Sequence, residues 1–140
     1  MGELNENKDG LKRKEILFEG KLCYKIGKSA DFYEGKGKRI LIDDELDSQI
    51  AVFRYKGELY ALSNICPHRH QDRIFEGYLE NGNVVCPAHG WTYSLATGEN
   101  VNQHQGIKRL SKYNIFEDKG IVYLEKPEFS KAAWKSFNDD

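Results

Sequence analysis

The chain has 140 residues, of which 39% are hydrophobic and 31% charged, and it contains 2 Trp, 8 Tyr and 7 Phe. This length and aromatic content predict one folded domain and exclude a disordered chain. Lys and Arg number 21 against 22 Asp and Glu. The charge balance therefore predicts neither nucleic-acid binding nor attraction to an anionic membrane.

The sequence also lacks the features of a membrane or secreted protein. Its longest apolar runs, such as residues 50–53, have four residues, whereas a membrane-spanning helix needs about 20. The N-terminus shows no apolar signal region. Three cysteines, an odd number, do not predict a disulfide framework. We therefore expect a soluble protein of the reducing cytoplasm.

In chain order, residues 1–21 are charged and weakly patterned, with one apolar cluster at 16–18; they predict an N-terminal tail that docks at its end. Between residues 22 and 125, short β-branched and aromatic runs alternate with Gly, Asn and Asp, which is typical of strands and turns. Strands are predicted at 39–42, and hairpins pair 50–55 with 58–63 and 113–116 with 121–124. The pattern predicts an all-β sandwich or barrel. Residues 126–140 form a second predicted tail, with a short helix at 129–137.

Two pairs of candidate metal ligands lie in the middle third of the chain. Cys66 and His68 form the first pair, and Cys86 and His89 the second. Each pair directly follows a predicted strand, so two loops would present one thiolate and one imidazole each. Such a donor set suits zinc or iron.

The spacing leaves two kinds of centre open. Zinc accepts two Cys and two His in a closed tetrahedron, but a single ion would have difficulty binding both Cys66 and His68, which only Pro67 separates. In a binuclear iron–sulfur cluster the two thiolates bind one iron and the two imidazoles the other. Each loop then spans the cluster.

The wider sequence context resembles the Rieske [2Fe-2S] family. The resemblance is carried by residues 64–69, by residues 86–93 followed by 97–99, and by the 17 residues that separate Cys-x-His from Cys-x-x-His. It continues upstream through residues 50–62 and covers roughly residues 22–125. It implies an antiparallel β-sandwich with a small two-loop cluster-binding subdomain at about 66–97. It also implies one [2Fe-2S] cluster, with Cys66 and Cys86 on a buried iron and His68 and His89 on an outer iron.

The chain departs from the high-potential members of this family. Where they carry a disulfide between the two loops, this chain has Gln71 and Ala88. Trp91 replaces a Ser that donates a hydrogen bond to the cluster, whereas the second donor is retained as Tyr93. Fewer hydrogen bonds to sulfur stabilise the reduced cluster less. We expect a reduction potential toward the low end of the Rieske range.

The resemblance implies a one-electron carrier, a Rieske-type ferredoxin that passes electrons to or from an oxygenase or reductase partner and is not an enzyme alone. An alternative is the small subunit of an NAD(P)H-dependent nitrite reductase-like complex, to which the region from residue 106 to 124 is also similar. A zinc-stabilised interaction module is the remote alternative. His70 and His104 are expected to be loop residues and not ligands, and Cys23 a buried or half-buried strand thiol.

Overall fold

The computed structural model describes residues 15–67, 70–88, 90–102 and 108–127. These residues form short strands joined by turns and by three 3₁₀ turns at Ser29–Asp31, Leu46–Ser48 and Ile74–Glu76. None of the described helices is long and apolar enough to cross a membrane. The strands are β1 (Glu15–Phe18), β2 (Lys21–Lys28), β3 (Gly37–Leu41), β4 (Gln49–Tyr55), β5 (Glu58–Ser63), β6 (Tyr78–Glu80), β7 (Asn83–Val85), β8 (Thr92–Ser94), β9 (Lys112–Tyr113), β10 (Ile115–Asp118) and β11 (Ile121–Glu125).

The strands build three antiparallel sheets. The first has the order β1-β2-β11-β10, the second β3-β4-β5-β9 and the third β6-β7-β8. The predicted all-β antiparallel class is confirmed, as are the hairpins β4-β5 and β10-β11. The third sheet lies between residues 78 and 94, inside the segment predicted to form the cluster-binding subdomain.

Four of the hairpins use the same two-residue turn. The turns are Glu19-Gly20, Lys56-Gly57, Asn81-Gly82 and Lys119-Gly120, and both residues of each have φ between +51° and +83°. Two consecutive residues with positive φ are typical of a type I′ turn, whose twist matches that of the flanking strands. Glycine occupies the second position each time because it alone adopts this conformation without steric cost.

Strand β4 is buried on both faces because the second sheet lies between the first and the third. Ile50 and Val52 belong to a core shared with β2 and β11. Ala51 and Phe53 point the other way, into a second core that contains Cys66 and other residues of the cysteine loops. Successive side chains of a strand alternate between its faces, so an uninterrupted apolar run supplies both cores.

Arg54, near the end of β4 remote from the cysteine loops, ties three parts of the sandwich together. Its Nε donates to the carbonyl of Phe32 at 2.8 Å. Its Nη1 and Nη2 donate to the carbonyls of Gly57 and Ser29 and to both carboxylate oxygens of Glu117. All five guanidinium N–H groups are thus used. The hydrogen bond from Arg54 lowers the pKa of Glu117, although partial burial opposes this shift.

The turn after β8 makes a close backbone contact with Leu110 through Gly98. Gly98 has φ +81°, and its carbonyl accepts a hydrogen bond from the backbone N–H of Leu110 at 2.8 Å. A Cβ atom at Gly98 would overlap the carbonyl oxygen of Leu110, whose side chain is buried in the second core. Only glycine allows the 108–110 segment to approach this closely.

The two ends of the described chain meet at the first sheet. Strand β1 falls inside residues 1–21, predicted as a tail, and pairs with β2. At the other end, the backbone N–H of Lys126 donates to the carbonyl of Leu22 at 2.8 Å. The helix predicted at 129–137 lies outside the described residues.

Candidate metal centre

The two predicted cysteine ligands lie in loops that enter the same core. Cys66 follows β5 after two residues, and Cys86 directly follows β7. Both are free thiols, each is 1% exposed, and both belong to the second core. Their predicted partners, His68 and His89, lie outside the described residues.

The first loop is a closed turn held by the backbone of Cys66. Its N–H donates to the carbonyl of Gln71 at 2.8 Å, and its carbonyl accepts from the N–H of His70 at 2.7 Å. His70 has φ +55°, a conformation that is costly for a residue with a Cβ atom. Its imidazole Nε2 lies 2.8 Å from Oδ1 of Asp47, in the connection between β3 and β4. This contact turns His70 toward a neighbouring loop.

The second loop repeats this hydrogen-bond pattern at the same spacing. Cys86 N–H donates to the carbonyl of Trp91 at 2.8 Å, and its carbonyl accepts from Gly90 N–H at 2.9 Å. Gly90 has φ +77°, so it corresponds to His70 of the first loop. Each loop therefore wraps its cysteine in an equivalent turn, and the residues between the cysteine and the positive-φ position include the predicted histidine ligand.

Tyr93 lies in the core that both cysteine loops enter. It lies on β8, is fully buried, and its hydroxyl is 3.7 Å from Sγ of Cys66. Burial raises the pKa of Tyr93, and the hydrogen bond with Cys66 and the charges of Cys66 and Cys86 raise it further. The phenol is therefore neutral at ordinary pH, and both thiols are close enough to influence it. The structure thus brings together three of the five predicted site residues.

Asn64, which the sequence does not single out, holds the two ends of the first loop. It is fully buried. Its Nδ2 donates to Oε1 of Gln49 at 2.9 Å and to the carbonyl of Asp72 at 3.0 Å. Its Oδ1 accepts from the N–H of Phe75 at 2.7 Å. Because a buried polar side chain is stable only when its groups are paired, this arrangement fixes where the loop leaves and rejoins the sheet.

The structure describes two of the residues that were predicted not to bind the metal, Cys23 and Trp91. Cys23 is fully buried on β2, as expected for a strand thiol. Burial, followed by the charge of Glu125, raises the pKa of Cys23, which disfavours a thiolate. Trp91 is half-buried and packs against the core that holds both cysteine loops. His104 lies outside the described residues.

The donor set of this centre fits an iron–sulfur cluster. Cysteine thiolates bind such clusters, and the two buried thiols come from equivalent loops. The hydroxyl of Tyr93 beside Cys66 supplies a hydrogen-bond donor of the kind that tunes a cluster.

Comparison with known proteins gives consistent matches across the sandwich. The 3-phenylpropionate/cinnamic acid dioxygenase ferredoxin subunit of Shigella flexneri serotype 5b is 33% identical over 100 residues, which are 71% of this chain and 89% of that protein. The solved Sphingomonas yanoikuyae B1 ferredoxin has a TM-score of 0.63 at 22% identity, covering 74% of this chain and 97% of that one. A Mycobacterium tuberculosis protein described as an NADH-dependent nitrite reductase small subunit has a TM-score of 0.67 at 19% identity, covering 77% and 97%.

A family model covers most of the same region. The model of the Rieske [2Fe-2S] domain matches residues 23–114, which contain both cysteine loops, the whole of the second and third sheets and part of the first. Together with the relative at 33% identity, this match shows that the chain belongs to the Rieske [2Fe-2S] domain family.

Proposed function

We propose that this protein is a one-electron carrier of the Rieske ferredoxin type, with one [2Fe-2S] cluster held between its two cysteine loops. The observation that carries the proposal is the pair of equivalent turns around Cys66 and Cys86, each with a buried thiol. The relative at 33% identity is a dioxygenase ferredoxin subunit, which supports the same role. The partner we infer is a redox protein, an oxygenase or a reductase.

In this proposal Cys66 and Cys86 bind one iron, and His68 and His89 bind the second. The bound cluster supplies a one-electron redox couple. The chain's own contribution is to exclude water from the two buried thiolates, to hold the loops at a set spacing and to direct the Tyr93 hydroxyl at Cys66. It turns over no substrate by itself.

A second role is favoured by one comparison. The fold also resembles the nitrite reductase small subunit, so the chain could alternatively be a subunit of such a complex. The two roles differ in the partner: co-purification with a sirohaem protein supports the subunit, and electron transfer to a separate oxygenase or reductase supports the carrier. A cytoplasmic location belongs to both proposals.

The first experiment examines the cluster in the purified protein. Prepared aerobically, the protein should be brown and contain about two irons per chain. Its reduced form should give an EPR spectrum typical of mixed Cys and His ligation. Stoichiometric zinc without iron, after expression in iron-rich medium, would contradict the proposal and favour a zinc module.

A second experiment separates ligands from bystanders. Cys66→Ser, Cys86→Ser, His68→Ala and His89→Ala should each abolish or severely impair cluster assembly, because each removes a bond to iron. Cys23→Ser is the matched control for the thiols, since Cys23 is equally buried but lies on β2 of the first sheet and not in either loop.

The corresponding histidine controls are His70→Ala and His104→Ala, which should keep the iron content of the wild type. If His70→Ala removes the iron and His68→Ala does not, then the ligand in the first loop has been assigned incorrectly.

A further inference from the structure

The positive-φ position of the first cysteine loop carries a side chain, whereas that of the second does not. The two loops have equivalent backbone turns, and these positions are His70 at φ +55° and Gly90 at φ +77°. A residue with a Cβ atom rarely adopts this conformation, but glycine adopts it without steric cost. Histidine therefore stands where glycine would suit the turn better, and the imidazole is what the first loop gains from it.

This imidazole contacts the connection between β3 and β4. Its Nε2 lies 2.8 Å from Oδ1 of Asp47. An ionised carboxylate accepts hydrogen bonds and donates none, so Nε2–H of His70 is the donor. The contact joins the first loop to a segment that is distant in the chain.

Asp47 belongs to a well-packed part of that connection. It lies in the 3₁₀ turn Leu46–Ser48, and the residues that follow it, Ser48 and Gln49, are buried. The carbonyl of Gln49 accepts from the N–H of Asn64 at 3.0 Å, and its Oε1 accepts from Asn64 Nδ2 at 2.9 Å. Because Asn64 directly precedes the first loop, the same segment holds the start of the loop and, through Asp47, its positive-φ position.

We propose that Asp47 is a positioning residue for the metal centre, which by binding His70 holds the first loop, and with it the predicted ligand His68, in a fixed position relative to the second sheet. This inference rests on the proposed function. His68 lies in the sequence between His70 and Cys66, whose backbone closes the turn, so the loop is held on both sides of the ligand.

The size of the effect follows from the exposure of the pair. The side chains of His70 and Asp47 are 63% and 48% exposed, and an exposed pair of this kind contributes little to the stability of the whole fold. We therefore expect a change in the rate at which the cluster is lost, and not in the amount of iron that the protein binds.

The first measurement follows bleaching of the iron-loaded protein in excess chelator. Asp47→Ala should be isolated with the iron content of the wild type but should bleach about two- to fivefold faster, the range for an exposed charged pair. Asp47→Asn keeps an acceptor oxygen for Nε2–H and should bleach at close to the wild-type rate. Glu15→Ala is the matched control, because Glu15 on β1 of the first sheet forms an exposed pair with Lys126 at 2.7 Å; it should leave the rate unchanged.

Hydrogen exchange, measured by mass spectrometry on the same iron-loaded protein, locates the effect. In Asp47→Ala the backbone N–H groups of Cys66 and His70 should exchange faster, while those of Cys86 and Gly90 keep their wild-type rates. A general loss of stability would instead accelerate exchange in both loops.

A double-mutant cycle assigns the effect to the contact itself. His70→Gly removes the same contact from the other side and relieves the positive φ, so it should also bleach faster than the wild type. In that background Asp47→Ala should add no further acceleration, because the two residues act as one unit.

Three results would overturn this inference. They are a wild-type bleaching rate in Asp47→Ala, equal acceleration of exchange in both loops, and a further acceleration by Asp47→Ala in the His70→Gly background. Should Asp47→Ala load no iron, His70→Gly provides the test alone, and a wild-type bleaching rate in that variant counts against the inference. A wild-type protein without iron would instead refute the proposed function on which it rests.

Discussion

Replacing Tyr93 by phenylalanine isolates one contact to the proposed cluster. Tyr93 is fully buried, and its ring packs in the core that contains both cysteines. Phenylalanine keeps this ring and removes only the hydroxyl that lies 3.7 Å from Sγ of Cys66. Since iron-bound Cys66 would be a thiolate without a proton, the hydroxyl must be the donor. The variant is therefore expected to fold and bind iron while losing one hydrogen bond to sulfur.

The magnitude follows from the strength of that hydrogen bond. A net protein hydrogen bond contributes about 0.5–1.5 kcal/mol. For a one-electron couple, a tenfold change in the equilibrium corresponds to about 59 mV, so the full range converts to about 20–65 mV. Only the difference between the two oxidation states contributes, and the sulfur–oxygen distance of 3.7 Å is long. We expect Tyr93→Phe to lower the potential by about 20–40 mV.

Protein-film voltammetry at one pH and one ionic strength measures this shift. Tyr24→Phe is the matched control, because Tyr24 is also buried but belongs to the core on the other side of the second sheet. That variant should keep the wild-type potential. An unchanged or raised potential in iron-loaded Tyr93→Phe would refute the assignment of Tyr93 as a donor.

Three further substitutions test interactions that stabilise the fold. Asn64→Leu removes the partner of two partly buried backbone groups, the carbonyl of Asp72 and the N–H of Phe75, so it should lower the free energy of unfolding by about 1–3 kcal/mol and accelerate bleaching by an iron chelator. Because Arg54 lowers the pKa of Glu117 in the folded state, this carboxylate stabilises the fold above pH 4.5, its ordinary pKa, and the contribution is lost as pH falls through the folded-state pKa. Glu117→Gln should therefore show a weaker loss of stability than the wild type in urea titrations between pH 5 and about 3; parallel pH profiles would contradict this reasoning. Gly98→Ala combines a positive φ with a steric overlap, whereas Gly57→Ala has a similar φ and open space around the new Cβ, so urea unfolding should show a loss larger by about 1–3 kcal/mol for Gly98→Ala.

Much of the architecture and the candidate site is predictable from local sequence. The alternation of short β-branched runs with glycine turns predicts an all-β fold, since strands and type I′ turns depend on residues close together in the chain. The Lys56-Gly57 hairpin is recognised in this way. Cys66 and Cys86 are identified because the spacing of a motif and the chemistry of its side chains can be read directly from the sequence. The resemblance to the Rieske family adds Tyr93, which the structure places 3.7 Å from Cys66.

Other strands cannot be predicted from a local sequence pattern. Strand β1 has four residues, and its apolar cluster at 16–18 follows a charged segment. Its strand conformation depends on pairing with β2, and an isolated short strand has little stability of its own. The Asn81-Gly82 hairpin joins strands of three residues each, too short to show an alternating pattern.

The sequence by itself determined the class of fold, the strand-forming segments and the residue types able to bind metal, because these depend on local geometry and on side-chain chemistry. Only the tertiary structure decided that β4 is buried on both faces, that Asn64 joins the two ends of the first loop and that both cysteine loops enter one core with Tyr93. Each of these features requires residues distant in the chain to pack together. Burial and hydrogen-bond pairing are properties of that packing, and no short stretch of sequence contains them.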